Sequence, residues 1–310
     1  MRSFLALVSA LLSTLLLLSN FVLMTMADYS NSIRTLFVAT NWKCSIESPV
    51  ETDKLVDSMN DEWAKLDVEI KNAVELSVHP PYVFLDRVRQ KLDPAIAVGS
   101  QNVYDSNFPN KGNTAATTTA MLSNLSIQWI LLGHSDRRNN LGEDDALLAE
   151  KATLAMKEGL GIVLTIGEKK DQREAGEALV VLQKQLGTVA AAIPNDEETW
   201  NRVVLAYEPV WAVGEGATPC APEEAQRIHT ALREYLRTTV SEEAAQACRI
   251  TYTGSVNPEN AEGYARLTNV DGFVVGRAGL DAKKLTSILT TLVETKKQEM
   301  VDTGETKSEL

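Results

Sequence analysis

The chain has 310 residues, 44% of them hydrophobic, and a formal charge of −12. Its length and apolar content suit one large globular domain or two small ones. A negative field argues against nucleic acid and anionic membrane surfaces as partners, although a local cluster of donors can still hold a small anion.

Residues 1–27 open with basic Arg2, continue in a Leu-rich run from Phe4 to Met24, and end in Thr25-Met26-Ala27. Small residues at −3 and −1 of a cleavage site make this segment read as a signal peptide that is removed. A retained anchor is the rival, because the run approaches membrane-spanning length; Ser9, Ser13, Thr14, Ser19 and Asn20 weaken it. After cleavage, 29 basic residues face 42 acidic ones, and no stable membrane contact is expected.

Beyond this leader, short apolar runs predict strands at 35–40, 74–79, 95–100, 127–133, 161–167, 202–208, 249–254 and 271–276. They are nearly continuous in apolar character, as strands covered on both faces should be. Helical patterns separate them. Ser48-Pro49-Val50-Glu51 is a capping box with Pro at the first helical position, and Asn257-Pro258 predicts a second helix start of that kind. From Pro222 to Val240, Ile228, Leu232, Tyr235 and Leu236 share one face. Eight strands, each followed by a helix, predict a single closed (β/α)8 barrel over 34–296. A doubly wound open sheet is the alternative, but no Gly-x-Gly-x-x-Gly follows the first strand. The polar tail 297–310 ends Lys307-Ser308-Glu309-Leu310, similar to a Lys-Asp-Glu-Leu retention signal. Together with the leader it points to the ER lumen. A plastid enclosed by additional membranes would use a similar N-terminus. In either compartment Asn124-Leu125-Ser126 is a glycosylation sequon.

Cys44, Cys220 and Cys248 are too few for a disulfide framework, and neither they nor His79, His134 and His229 have metal-ligand spacing. P-loop and zincin motifs are absent. In a (β/α)8 barrel the chemistry sits where strands end. The first strand ends in Asn41-Trp42-Lys43, the fourth in Gly133-His134-Ser135-Asp136, and the sixth at Glu208. Taken singly, a lysine after a strand is usually solvated, a lone histidine structural, and a lone glutamate paired with an arginine. Three strands delivering an ammonium, an imidazole and a carboxylate to one rim point to catalysis.

"TNWKCS", "GHSDRR", "TIGEKKDQREAG", "AYEPVWAVGEG", "TGSVNPEN" and "DGFVVGRAGL" resemble the successive motifs of the triosephosphate isomerase family, from about Thr35 to Lys296. The resemblance implies a TIM barrel that interconverts dihydroxyacetone phosphate and glyceraldehyde 3-phosphate, in glycolysis and gluconeogenesis, with no metal or organic cofactor. It implies Glu208 as the base, His134 as a neutral electrophile, Lys43 as the group offsetting oxyanion charge, and Asn41 as a substrate-positioning residue. Phosphate would meet backbone N–H groups at Gly214, Ser255, Gly276 and Arg277, under a lid with a hinge at Pro209-Val210-Trp211 and a tip from Ala212 to Ala217.

Departures from the family pattern fall near these positions. Asp136 replaces a glutamate that contacts the lysine, and its shorter side chain is expected to reach poorly. Thr253 and Arg277 replace glycines, so Thr253 is expected to be strained if its position requires φ > 0. Arg277 would either crowd the phosphate or add a contact to it, and it could also partner Glu215, which with Ala217 alters the lid tip. The family's homodimer is expected to be weakened or rearranged, because loop 112–117 lacks the aromatic, hydroxyl and acid that reach into the partner. An alternative reading is a barrel that binds a phosphorylated ligand with weak or no turnover; a weaker one is an isomerase for another small phosphosugar.

Overall fold

The computed structural model describes residues 34–104, 114, 116–214 and 216–303, which belong to one compact unit beginning at Arg34. The leader, the Lys307–Leu310 end, Glu215 and residues 112, 113 and 115 of loop 112–117 lie outside the described residues. Eight strands follow in chain order: β1 (Leu36–Asn41), β2 (Val74–His79), β3 (Ala97–Ser100), β4 (Trp129–Leu132), β5 (Gly161–Ile166), β6 (Val203–Tyr207), β7 (Arg249–Tyr252) and β8 (Gly272–Val275). Each pairs in parallel with the next, and β8 pairs with β1 to close the barrel. Every predicted strand is found: β2 matches its prediction, β1 is displaced by one residue toward Asn41, and the other six are shorter by a residue or two at one or both ends.

Both faces of the strands are buried, which explains the continuous apolar runs. Val38, Leu76, Val98, Ile130 and Leu205 face the core shared with the helices. Phe37, Ala39, Trp129, Leu131, Val163, Val204, Ala206 and Val274 form a separate cluster inside the barrel. A polar plug closes its N-terminal end, where Arg249 pairs with Glu75 at 2.7 Å and lies over the rings of Phe37 and Trp129. The period of two then decides what reaches the other end. After Phe37 and Ala39 the next inward position is Asn41; after Val204 and Ala206 it is Glu208.

Five helices matter below: α1 (Pro49–Lys65), α2 (Ser135–Leu141), α3 (Ala178–Ala190), α4 (Pro222–Thr239) and α5 (Ala282–Thr303). The capping box at Ser48 and Glu51 is formed. On α4, Ile228, Leu232 and Leu236 are buried as the pattern predicts. The predicted start at Asn257-Pro258 is displaced: the Asn257 side chain accepts from Glu259 N and Asn260 N, making a turn, and helix begins only at Ala261. Helix α5 continues past residue 296 to Thr303. Among the described residues no helix is long and apolar enough to cross a membrane.

Candidate active site

Lys43 follows β1 with φ 51°, a left-handed conformation that costs a residue with a side chain roughly 1–2 kcal/mol. Its backbone N–H donates to Asn41 Oδ1 at 3.0 Å, so buried Asn41 lies directly beneath it. Its Nζ donates to Asp136 Oδ2 at 2.8 Å. This corrects the expectation that the shorter acid reaches poorly: the long, flexible lysine stem closes the gap. Partial burial raises the Asp136 carboxyl, but the hydrogen bond and charge of Lys43 outweigh it and hold it below its ordinary range. Both side chains are substantially exposed, so the pair contributes at most about 1 kcal/mol and chiefly aims the ammonium.

β4 gives way to Gly133 at φ 75°, where a Cβ would stand 2.6 Å from the Thr165 carbonyl. That turn delivers His134 as the N-cap of α2. Asp136 N–H donates to His134 Nδ1 at 3.1 Å. An accepting Nδ1 leaves the ring proton on Nε2, which lies 3.2 Å from Glu208 Oε1. The approach is close but off the N–H axis, and Oε1 has no hydrogen-bond partner.

Glu208 is 1% exposed. Its Oε2 accepts from Ser135 N–H at 2.9 Å, and its own N–H donates to Ile166 O at 2.8 Å. Its backbone packs on Gly167, where a Cβ would fall 1.8 Å from the Glu208 carbonyl oxygen. Glu208 also lines a cavity of about 210 Å³ with Gly133, Ser135, Arg138 and Gly167, but Lys43 and His134 are not among its walls. His134 joins Glu208 to Lys43 through Asp136: its Nε2 lies 3.2 Å from Glu208 Oε1, its Nδ1 lies 3.4 Å from Asp136 Oδ2, and Asp136 holds the Lys43 ammonium.

Gly214, Ser255, Gly276 and Arg277 are exposed on the loops after β6, β7 and β8. Their backbone N–H groups bond to no other described residue. Ser255 has φ 50°, whereas neither Thr253 nor Arg277 has positive φ, so the expected strain at Thr253 is not found. The Arg277 side chain is exposed and does not crowd the loop's interior.

At the hinge, Val210–Ala212 form a 3-10 turn. Trp211 Nε1 donates to Glu168 Oε1 at 2.7 Å, Tyr207 OH donates to the same atom at 3.1 Å, and Arg173 stacks 3.8 Å over the indole. Burial pushes the Glu168 carboxyl up despite these donors. Ala212, at the start of the expected lid tip, is fully buried and is the last residue of this turn.

Sequence reading missed three residues here. Glu168 sits in "TIGEKKDQREAG" but was given no role. Gln185 on α3 holds both Gly167 N–H and Gly167 O. Gln101 contacts Lys43; as a polar residue just past β3, it carries the same signal that singled out the ends of β1, β4 and β6.

A family model described as triosephosphate isomerase matches residues 36–292, the barrel from its first strand into α5. The chain belongs to the triosephosphate isomerase family. It is 40% identical over 265 residues to the cytosolic triosephosphate isomerase of Stellaria longipes, covering 85% of this chain and 98% of that protein. To the chloroplastic triosephosphate isomerase of Fragaria ananassa it is 38% identical over 262 residues, 84% of this chain and 78% of that one. The Neurospora crassa triosephosphate isomerase is 40% identical over 248 residues, covering 80% and 94% respectively.

Proposed function

We propose that Glu208, His134 and Lys43 carry out the isomerase reaction, interconverting dihydroxyacetone phosphate and D-glyceraldehyde 3-phosphate through an enediolate. The Glu208 carboxylate takes a proton from one carbon and returns it to its neighbour. His134, with its proton on Nε2, hydrogen-bonds the two substrate oxygens and passes a proton between them. The Lys43 ammonium offsets the negative charge that develops on oxygen, a preorganised contribution of a few kcal/mol. Asn41 orients the substrate. The dianionic phosphate is held by the free N–H groups of Gly214, Ser255, Gly276 and Arg277, with the Arg277 guanidinium as an added charged contact. Backbone donors of this kind suit an anion whatever the net charge of the chain.

The observation that carries this reading is the approach of His134 Nε2 to Glu208 Oε1 while Lys43 is tethered to the same helix through Asp136. To act, Glu208 must leave Ser135 N–H and turn toward the substrate. Closure of the lid beyond Trp211 excludes water from the enediolate, which could otherwise expel phosphate. In a coupled assay Glu208→Ala should lose orders of magnitude in kcat while a phosphate-bearing inhibitor still binds. Undiminished turnover would end the assignment of Glu208 as the base. With Asp136 in contact with Lys43, one ground for the weak-turnover reading is gone.

Two further readings rest on less. A homodimer, weakened at 112–117, is supported by the exposed apolar groups of Tyr82 and Val83 in the 3-10 turn after β2 and of Leu141 at the end of α2; light scattering at micromolar concentration measures it. Entry into the secretory pathway with ER retention is supported by residues 1–27 and Lys307–Leu310, whereas two of the relatives named above are a cytosolic and a chloroplastic protein. Loss of retention on deleting Lys307–Leu310 in a tagged chain is the expected result.

A further inference from the structure

We propose that Gln101 is the residue that positions Lys43, and so controls where the ammonium sits; this rests on the role given to Lys43 above. Lys43 is held at φ 51°, and such a conformation persists only where its surroundings over-determine it. On the N–H side the constraint is Asn41 Oδ1. On the carbonyl side, among the described residues, it is Gln101, whose Nε2 donates to Lys43 O at 2.7 Å. The second hydrogen of the same amide goes to His79 O at 3.1 Å.

The His79 carbonyl is a rigid anchor. It also accepts Trp42 N–H at 3.1 Å, extending the β1–β2 ladder by one rung. The His79 ring is fixed in turn, with Nδ1 3.1 Å from Ser100 O and Nε2 3.1 Å from Ser77 Oγ. Ser100 is the last residue of β3 and Gln101 the next in sequence. The contacts thus close a circuit through β2, β3 and the strained turn after β1. One carboxamide fastens the left-handed residue to the two neighbouring strands.

Without those two donors the carbonyl side of the turn is released, and only the Asn41 contact and the Ser45 N–H bond to Trp42 O oppose its strain. Relaxation of Lys43 to negative φ redirects the whole side chain away from the line that now reaches Asp136. Displacement of a catalytic group by about 1 Å costs on the order of 10²-fold in rate.

Gln101→Met and Gln101→Glu are similar in size and lack the N–H donors. Each should lose about 10²-fold in kcat/KM, with KM raised as well as kcat lowered. Their thermal midpoints and circular dichroism report whether they fold, and the two variants provide a check on each other. The decisive measurement is a double-mutant cycle with Lys43→Ala, with slow turnover followed by NMR of the substrate. If Gln101 acts through the lysine, Gln101→Met should change the rate less than about threefold once the ammonium is gone. An equal loss in both backgrounds, or no loss in the wild-type background, would overturn the proposal. Full turnover by Lys43→Ala alone would instead refute the role of the lysine itself, a separate failure.

Discussion

Gly99→Ala is a one-methyl change whose cost can be worked from the geometry. Gly99 faces His79 across the β2–β3 pair, inside the barrel. A Cβ at Gly99 would stand 2.2 Å from His79 Cε1, 2.5 Å from Nδ1 and 2.6 Å from Nε2. Ordinary contact begins near 3.4 Å, so the ring has to move by more than 1 Å, and the ring is not free to do so. Its Nδ1 donates to Ser100 O, and its Nε2 accepts from Ser77 Oγ. Overpacking alone costs about 1–3 kcal/mol. Breaking the bond to a buried carbonyl adds about 1–3 kcal/mol more. Gly99→Ala should therefore destabilise the fold by roughly 2–6 kcal/mol, measured as the shift in urea midpoint at constant m. His79→Ala removes the obstacle at the cost of a cavity and an unpaired Ser100 carbonyl. The double variant should consequently be more stable than the sum of the two singles implies, with a coupling of about 2 kcal/mol. Additive effects, or a neutral Gly99→Ala, would refute the reasoning.

Three further outcomes follow from groups already described. His79 and His229 are completely buried, and burial pushes each from 6.5 to about 4 against the opposing pull of the Ser100 and Asn269 carbonyls. Both are neutral in the fold, whereas the unfolded chain takes up protons near pH 6.5, so their contribution is whole above that pH and is lost as pH falls toward 4. The slope is about 1.4 kcal/mol per pH unit per histidine; urea midpoints between pH 7 and 4.5 measure it, and a flat profile contradicts it. Arg277→Ala should raise KM about fivefold with kcat nearly unchanged, the effect of about 1 kcal/mol from an exposed charge; steady-state kinetics decide, and a lowered KM would mean that the guanidinium obstructs the phosphate. Trp211→Phe removes one donor from buried Glu168 and should cost about 1–3 kcal/mol in stability, read by thermal unfolding alongside an altered kcat.

The barrel was legible because its strands are apolar on both faces and its turns are marked, features set by local chemistry. Lys43, His134 and Glu208, on which the proposed reaction rests, stood out for a related reason: a polar residue that interrupts an apolar strand at its C-terminal end has few explanations. Side-chain reach was not. Whether Asp136 could contact Lys43 depended on how far a flexible ammonium swings, which no residue count supplies. Thr253 illustrates the opposite error, since a glycine in relatives does not establish that its position needs positive φ. Gln101 and Gln185 escaped notice because their contacts are with backbone carbonyls and amides of distant segments, and backbone partners leave no mark on sequence spacing.

A single helical turn organises the chemistry that the strands deliver. The N-terminus of α2 has unpaired N–H groups, as every helix start does. Ser135 N–H is given to Glu208 Oε2 and Asp136 N–H to His134 Nδ1, while the Asp136 side chain holds the Lys43 ammonium. The proposed base, electrophile and cation are therefore referenced to two consecutive residues, Ser135 and Asp136. This arrangement makes the resting position of Glu208 informative. The carboxylate is stabilised by a positive helix end and by one N–H, yet its Oε1 is left without a bond in a buried site. A carboxylate satisfied at one oxygen only is held without being trapped, and in the proposed reaction a substrate hydroxyl or C–H beside His134 Nε2 would meet the oxygen that has no partner. The same turn explains why aspartate suffices at 136. What the site requires is a carboxylate at the second position of this helix, within reach of a lysine whose backbone Gln101 and Asn41 have already turned toward it.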